Sequence, residues 1–153
     1  MRRFAFRFER VLETKRYVEE MKANELAALM AQRLQDEERL LAVQGQLLDQ
    51  QRELANRAET RQALSDIAVI ARYMNTLVDE IRRYQEQLAR WDEQIEGKRE
   101  ELVEAKRETT VLDKLKKSDR RAYQKAVNDW EQKLIDDAAA GRYVRRMREE
   151  VHS

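Results

Sequence analysis

The fold is predicted by the stretch from Ile67 to Leu112, which reads IAVIARYMNTLVDEIRRYQEQLARWDEQIEGKREELVEAKRETTVL. Apolar residues recur in it at two interleaved spacings of seven residues. One series is Ile67, Met74, Ile81, Leu88, Ile95 and Leu102, and the other is Ile70, Leu77, Tyr84, Trp91, Ala105 and Leu112. Such a repeat makes a narrow seam on one side of an α-helix, which is buried by wrapping against another helix in a left-handed supercoil. We therefore expect a coiled-coil rod, which has no concave interior for a reaction and whose default role is to bind other proteins.

The composition agrees with an extended helical protein. Among 153 residues, 40% are charged and 42% hydrophobic, which is too polar for a globule with a deep core. The sequence has no proline and only three glycines, so the usual signals of strands and tight turns are nearly missing. The formal net charge is +1, so the molecule as a whole is not a polycation for nucleic acid. These features predict an all-α protein.

The sequence also bears on the compartment. It contains no cysteine, which excludes a disulfide framework and fits a reducing environment. The longest apolar run, Leu26 to Ala31, has six residues, where a membrane span needs about 20. Arg7, Glu9 and Arg10 interrupt any apolar core of a signal peptide. We expect a cytoplasmic protein without a transmembrane segment.

The chain is expected to form one coiled-coil domain over residues 1–153, built as a long antiparallel pair of helices. The first helix is predicted at about 3–55 and the reversal at about 56–66, where Ser65 and Asp66 provide an N-cap signal. We expect the second arm to consist of a middle helix at about 66–96, at the far end from the termini, followed by a C-terminal helix at about 99–150. The heptads pass through Gly97, so the sequence leaves open whether the middle and C-terminal helices are one continuous helix. It also leaves open whether the helix continues through Ser118. Heptads alone also leave open an intermolecular coiled coil.

The first helix carries a broad apolar stripe. It consists of two adjacent heptad series: Leu40, Leu47 and Leu54, and beside them Leu34, Leu41, Leu48 and Ala55. A stripe of this width can face more than one neighbour.

Residues for catalysis or for binding a cofactor are missing from the sequence. There is no glycine-rich loop of the kind that cradles phosphates. The single histidine, His152, has no oriented partner for acid-base chemistry. We expect no enzyme activity, no metal site and no cofactor.

Three surface features can carry binding. An antiparallel pair brings the termini together, and this tip would collect Arg2, Arg3, Arg7, Arg10, Arg142, Arg145, Arg146 and Arg148, with Phe6 exposed beside Phe4 and Phe8. A basic run contains Lys114, Lys116, Lys117, Arg120, Arg121 and Lys125. The third feature is the surplus apolar surface at Val69, Tyr73 and Val78, which either packs against a third helix or binds another protein.

The opening sequence Phe4-Ala-Phe-Arg-Phe-Glu-Arg-Val-Leu12 resembles the start of the flagellar export protein family FliJ, which has the form F-x-F-R-[LF]-E-x-V-L. Further along, the resemblance covers a Lys-rich stretch with Tyr123, the acidic pair Asp136-Asp137 and the dipeptide Arg142-Tyr143. The acidic pair departs from the more usual Asp-Glu.

This resemblance implies a soluble, non-catalytic component of the flagellar type III export apparatus, similar in fold to the central stalk of rotary ATP synthases. Members are understood to insert their paired termini into the hexameric export ATPase FliI, to contact the export gate FlhA through the middle region, and to escort export chaperones. Through the contact with the export gate, the resemblance also implies that the protein associates peripherally with the inner membrane. The candidate residues at the ATPase end are Phe4, Phe6, Arg7, Arg142, Tyr143 and Arg145. Those at the gate end are Val69, Tyr73 and Leu77.

Two alternatives remain at this point. One is the corresponding stalk of an injectisome-type virulence secretion system, with the same fold and mechanism. The other is a scaffolding or nucleic-acid-binding coiled coil that uses the basic run from Lys114 to Lys125. The sequence contains no recognisable nucleic-acid-binding module, so we expect no nucleic acid among the partners.

Overall fold

Two helices make up the protein in a computed structural model that describes residues 2–60 and 64–152. Helix α1 spans Glu9–Glu59 and helix α2 spans Leu64–His152. The two pack against each other as a coiled-coil hairpin, which confirms the predicted fold class. No strand occurs in the described ranges. Within them, neither helix contains an apolar stretch long enough to cross a bilayer.

Helix α1 begins later than the predicted residue 3. Residues 2–6 have no regular secondary structure and residues 7–8 form a turn, in which the Glu9 amide donates to the Phe6 carbonyl at 3.2 Å. The late start has a physical reason, because Phe4 packs on Tyr123 and Phe6 is buried from this non-helical segment. At the other end α1 runs to Glu59 rather than about 55, and the Thr60 amide and hydroxyl both donate to the Asn56 carbonyl. The predicted reversal at 56–66 falls between the two helices, with residues 61–63 outside the described residues.

The structure has one helix, α2, where the sequence predicted a middle helix at 66–96 and a C-terminal helix at 99–150. Gly97 and Ser118 both lie inside α2, so the helix continues through the two positions that the sequence left open. Gly97 is exposed, with nothing within 4 Å of the position that a Cβ would occupy. Its neighbours Ile95 and Lys98 are turned into the helix pair, so the packing of the seam continues on both sides of the glycine.

Internal contacts divide the chain into two units: a middle unit, Val18–Ala105, and a terminal unit of Met1–Tyr17 with Lys106–Ser153. In the middle unit the helices are antiparallel, as the ion pairs demonstrate: Lys22–Glu101 at 3.3 Å, Glu25–Lys98 at 2.8 Å, Arg33–Asp92 at 2.6 Å and Arg57–Asp66 at 3.9 Å. The buried seam residues of this unit include Val43, Ile70, Leu77, Ile95 and Ala105.

The terminal unit is also antiparallel. Its ion pairs are Lys15–Glu108 and Arg16–Asp113, both at 2.7 Å, and Glu9–Lys116 at 2.8 Å. Leu12 is completely buried in it. On α2 the seam residues Thr109, Leu112 and Tyr123 are buried or half-buried, whereas every described residue from 128 to 152 is exposed. The seam of α2 therefore continues beyond the point where α1 and its preceding segment cover it.

Candidate interaction surfaces

The N-terminal strap, which we define as residues 2–8, lies against α2 in the terminal unit. The Phe4 ring lies 5.5 Å from the Tyr123 ring, centroid to centroid, and the Arg120 guanidinium lies 5.4 Å from the centre of the same phenylalanine. The Tyr123 hydroxyl donates to the Arg2 carbonyl oxygen at 2.6 Å. A ring contact, a cation–π contact and a hydrogen bond thus hold the start of the chain on α2.

Phe6 is buried, so the expectation that it would be exposed beside Phe4 and Phe8 is wrong. Its ring makes an edge contact with Phe8 at 5.9 Å. The turn before α1 explains the difference, since a non-helical strap directs side chains differently from the helix that the apolar spacing predicted. Arg7 stays exposed, with its guanidinium 5.2 Å from the Phe8 ring centre. The N-terminal motif is therefore largely an internal packing element.

The basic run from Lys114 to Lys125 serves in part as the receiving surface for the strap. Lys116 pairs with Glu9, Arg120 lies over Phe4, and Tyr123 contacts both Phe4 and Arg2. Beside them is an open hollow of about 220 Å³, lined by Arg16, Asp113, Lys116, Lys117 and Arg120. Two of the charges that suggested a polyanion partner, Lys116 and Arg120, thus already have partners within the chain.

The C-terminal extension, which we define as residues 128–152 of α2, carries three of the predicted ATPase-binding residues. Arg142, Tyr143 and Arg145 are all exposed there. The strap meets α2 at Tyr123, about 20 residues before Tyr143, which corresponds to ~30 Å along a helix. The expected arginine tip is therefore wrong in its geometry, because α2 has 89 residues and continues past the strap, whereas α1 has 51. The structure separates Phe4, Phe6 and Arg7 from the C-terminal three.

Large apolar side chains are exposed along the same extension. They are Trp130, Leu134, Ile135, Tyr143, Val144, Met147 and Val151. Trp130 is 46% exposed, so its indole is not part of the buried seam. An amphipathic helix with an uncovered apolar face and a basic C-terminal part can bind a surface that offers apolar and acidic groups.

In the middle unit, two of the three predicted gate-binding residues are accessible. Val69 and Tyr73 are exposed, but Leu77 is 2% exposed and lies in the seam, so it cannot contact a partner while the helices remain paired. A third helix, one of the two alternatives for this surface, does not occur in residues 2–60 and 64–152. Val78 is exposed as well.

The middle unit exposes a second apolar surface, the leucine stripe of Leu34, Leu41 and Leu48 on α1, which lies on the broad stripe predicted to face more than one neighbour. These side chains are 56%, 62% and 47% exposed, whereas Leu40, Leu47 and Leu54 of the adjacent series are half-buried in the seam. The sequence signal for it is the presence of two adjacent heptad series on α1, where one partner helix needs only one. Leu34 also borders an open groove of about 610 Å³ with Met30, Arg33, Asp92 and Ile95.

Ion pairs flank the seam of the middle unit and shift the pKa values of a few groups. Hydrogen bonds from Lys98 and Lys22 lower the pKa of Glu101. Hydrogen bonds to Glu25 and Glu101 raise the pKa of Lys98 in turn. These shifts reflect exposed ion pairs, both across the two helices and between Lys98 and Glu101 within α2, rather than a catalytic arrangement. In the described part of the chain, no group of His, Asp and Glu side chains is arranged to hold a metal ion.

A comparison with protein families finds a match to the family model described as "Flagellar FliJ protein", over residues 4–148. The match covers nearly the whole chain, including most of the strap and most of the C-terminal extension. Comparison with curated proteins and with solved structures finds no significant match.

Proposed function

The chain belongs to the flagellar FliJ family, and from that premise we propose that it is the non-catalytic stalk that binds the centre of the hexameric export ATPase FliI. In this role it promotes assembly and activity of the ATPase and couples it to the export gate FlhA. It also escorts export chaperones. The gate contact gives the protein peripheral association with the inner membrane.

The observation that carries this proposal is the C-terminal extension. All its described residues are exposed, and it combines arginines with apolar side chains that no other segment of the described chain covers. A helix of this kind is suited to enter the opening of a ring-shaped partner. Acidic groups around that opening would attract Arg142 and Arg145, and Tyr143 would supply aromatic contact area.

The ATPase-binding set divides into two roles in this proposal. Arg142, Tyr143 and Arg145 contact the ATPase directly. Arg7 is exposed on the strap and provides a second, separate positive charge for contact with the ATPase. Phe4 and Phe6 act through the strap, because their rings pack within the terminal unit.

For the gate, the accessible apolar surface of the middle unit is the contact. Val69 and Tyr73 on α2 are joined in this role by the leucine stripe on α1. Exposed apolar side chains in a row are uncommon on a protein that has no partner at that surface. Leu77 supports the contact only by holding the seam together.

The test measures ATP turnover and hexamer formation of the flagellar ATPase from the same organism with and without this protein. We expect both to rise, and the triple substitution Arg142→Glu, Arg145→Glu and Arg146→Glu to abolish most of the increase. The matched control is Arg82→Glu, Arg83→Glu and Arg90→Glu, which reverses three charges of the middle unit. Equal stimulation by both triple variants would contradict the assigned surface, and no stimulation by the unaltered protein would contradict the ATPase role.

A separate capture experiment tests the gate contact. Tyr73→Glu and Leu41→Glu should each weaken capture of the cytoplasmic part of FlhA, whereas Val111→Glu, at an exposed apolar residue of the terminal unit, should not. Stimulation of an injectisome ATPase, but not of the flagellar ATPase, would favour the virulence-system alternative.

A further inference from the structure

The C-terminal extension continues the seam of α2 without a partner helix. In the paired part of the terminal unit, two heptad series of α2 face α1 and the strap. The first series is Thr109, Lys116 and Tyr123, and the second is Leu112 and Asp119. All five residues are buried or half-buried. The same spacing continues with Trp130, Asp137 and Val144 in the first series and Ala126, Lys133, Ala140 and Met147 in the second. All seven are exposed. A seam that continues in register past its own partner offers a ready surface to another helix.

We propose that this open seam pairs with the same seam of a second copy of the chain, as an antiparallel two-fold dimer centred between Lys133 and Asp137. In an antiparallel pair, the first heptad series of one helix faces the second series of the other. A two-fold axis at this centre sets Lys133 of each copy opposite Asp137 of the other, so one geometry forms two ion pairs.

Side-chain sizes fit the same register. Trp130 falls opposite Ala140 of the second copy, and Ala126 falls opposite Val144, so each large side chain meets a small one. Tyr123 falls opposite Met147, at the place where the strap covers the seam, and the pairing ends there. Complementary volumes across a seam let two helices approach closely without voids.

A parallel pair in the same register would be unfavourable. It would bring Lys133 against Lys133, Asp137 against Asp137 and Trp130 against Trp130. Like charges that face each other across an interface cost free energy, whereas the antiparallel arrangement turns the same four side chains into attractive pairs. Neither Lys133 nor Asp137 forms an ion pair within the described chain, so both are available.

The dimer would cover Val144 and Met147, on the extension that also carries Arg142 and Arg145. A protein paired in this way would have to separate before the extension could bind another partner. This consequence rests on the proposed function, but the dimer itself does not.

The principal test uses sedimentation equilibrium of the full chain over a range of concentrations. We expect a monomer–dimer equilibrium, and we expect Lys133→Glu alone or Asp137→Lys alone to raise its dissociation constant at least about tenfold, because each substituted side chain faces like charge. A mixture of the two variants should form a one-to-one heterodimer, since the two substituted side chains then attract each other across the seam. Monomer at every concentration, or no heterodimer in the mixture, would overturn the proposal.

Cysteine cross-linking gives a readout that does not depend on affinity. The chain has no native cysteine, so a single introduced thiol can react only with the same thiol of another copy. Leu134 flanks the two-fold axis in this register, and Leu134→Cys should oxidise rapidly to a covalent dimer. Ile135 points to the outside of the pair, and Ile135→Cys should cross-link slowly. Cross-linking at equal rates would contradict the antiparallel register. Circular dichroism of each variant establishes that α2 remains helical.

Discussion

Trp91 of α2 donates a hydrogen bond from its indole nitrogen to Asp36 of α1, with 2.6 Å between Nε1 and Oδ2. Asp36 is buried, and its other oxygen accepts from Arg39 at 3.2 Å. A buried carboxylate in a coiled-coil seam is costly unless it is paired, so this contact favours the one helix register that brings both partners together.

Asp36→Ala should lower the free energy of unfolding by about 1–3 kcal/mol, because it leaves the indole donor without its acceptor. Asp36→Asn keeps an acceptor at the same place and should cost less. Urea unfolding followed by circular dichroism compares the two variants. Equal losses would indicate that the hydrogen bond contributes little.

The strap should loosen in Tyr123→Phe. This substitution removes the hydroxyl that binds the Arg2 carbonyl while it keeps the ring against Phe4. Hydrogen exchange of residues 2–8 should become faster, with a change in global stability of at most about 1.5 kcal/mol. Tyr143→Phe is the control, since that hydroxyl lies on the exposed extension. Unchanged exchange in Tyr123→Phe would contradict the assigned contact.

Leucines in the seam and in the leucine stripe should differ in their effect on stability. Leu77→Ala removes a buried side chain and should cost about 2–5 kcal/mol. Leu41→Ala removes a side chain that is 62% exposed and should cost no more than about 0.5 kcal/mol. Thermal unfolding distinguishes these outcomes, and a large loss at Leu41 would place it in a packed interface.

Gly97→Ala should raise the free energy of unfolding by about 0.5–1 kcal/mol. The glycine lies inside a helix with open space at the Cβ position, so alanine lowers the entropy of the unfolded chain without a clash. Denaturant midpoints of the two proteins check this. A destabilised Gly97→Ala would indicate that α2 needs to bend at this residue.

Acid should weaken the pairing at Glu101. Since Lys98 and Lys22 lower its pKa in the folded protein, its stabilising contribution is complete above the unfolded pKa of about 4.3 and is lost as the pH falls through the lower folded value. Glu101→Gln should therefore lower the melting temperature near neutral pH and have less effect in strong acid. A difference that did not depend on pH would contradict this assignment. The neighbouring exposed glutamate Glu100 provides the control substitution, Glu100→Gln.

The amino-acid sequence was sufficient to predict long helices that pair through a heptad seam, but not whether the partner helix lies in the same chain. A seven-residue repeat can bury its apolar series only against another helix, so Ile70, Leu77 and Ile95 had to face a partner. It also indicated the family, through the motif from Phe4 to Leu12 and the match over residues 4–148.

Three features were decided only by the tertiary structure. Whether Phe4 continues a helix or lies in the strap depends on Tyr123 and Arg120, which lie more than a hundred residues away in the chain. Glycine inside a helix costs about 1 kcal/mol relative to alanine, and the helix propensity of its neighbours does not offset this. Whether α2 continues through Gly97 therefore depends on the packing of the residues on both sides. The uncovered extension follows from where α1 and the strap end against α2. Periodicity describes which face of a helix is apolar, but only the paired chain determines how far along that face a partner reaches.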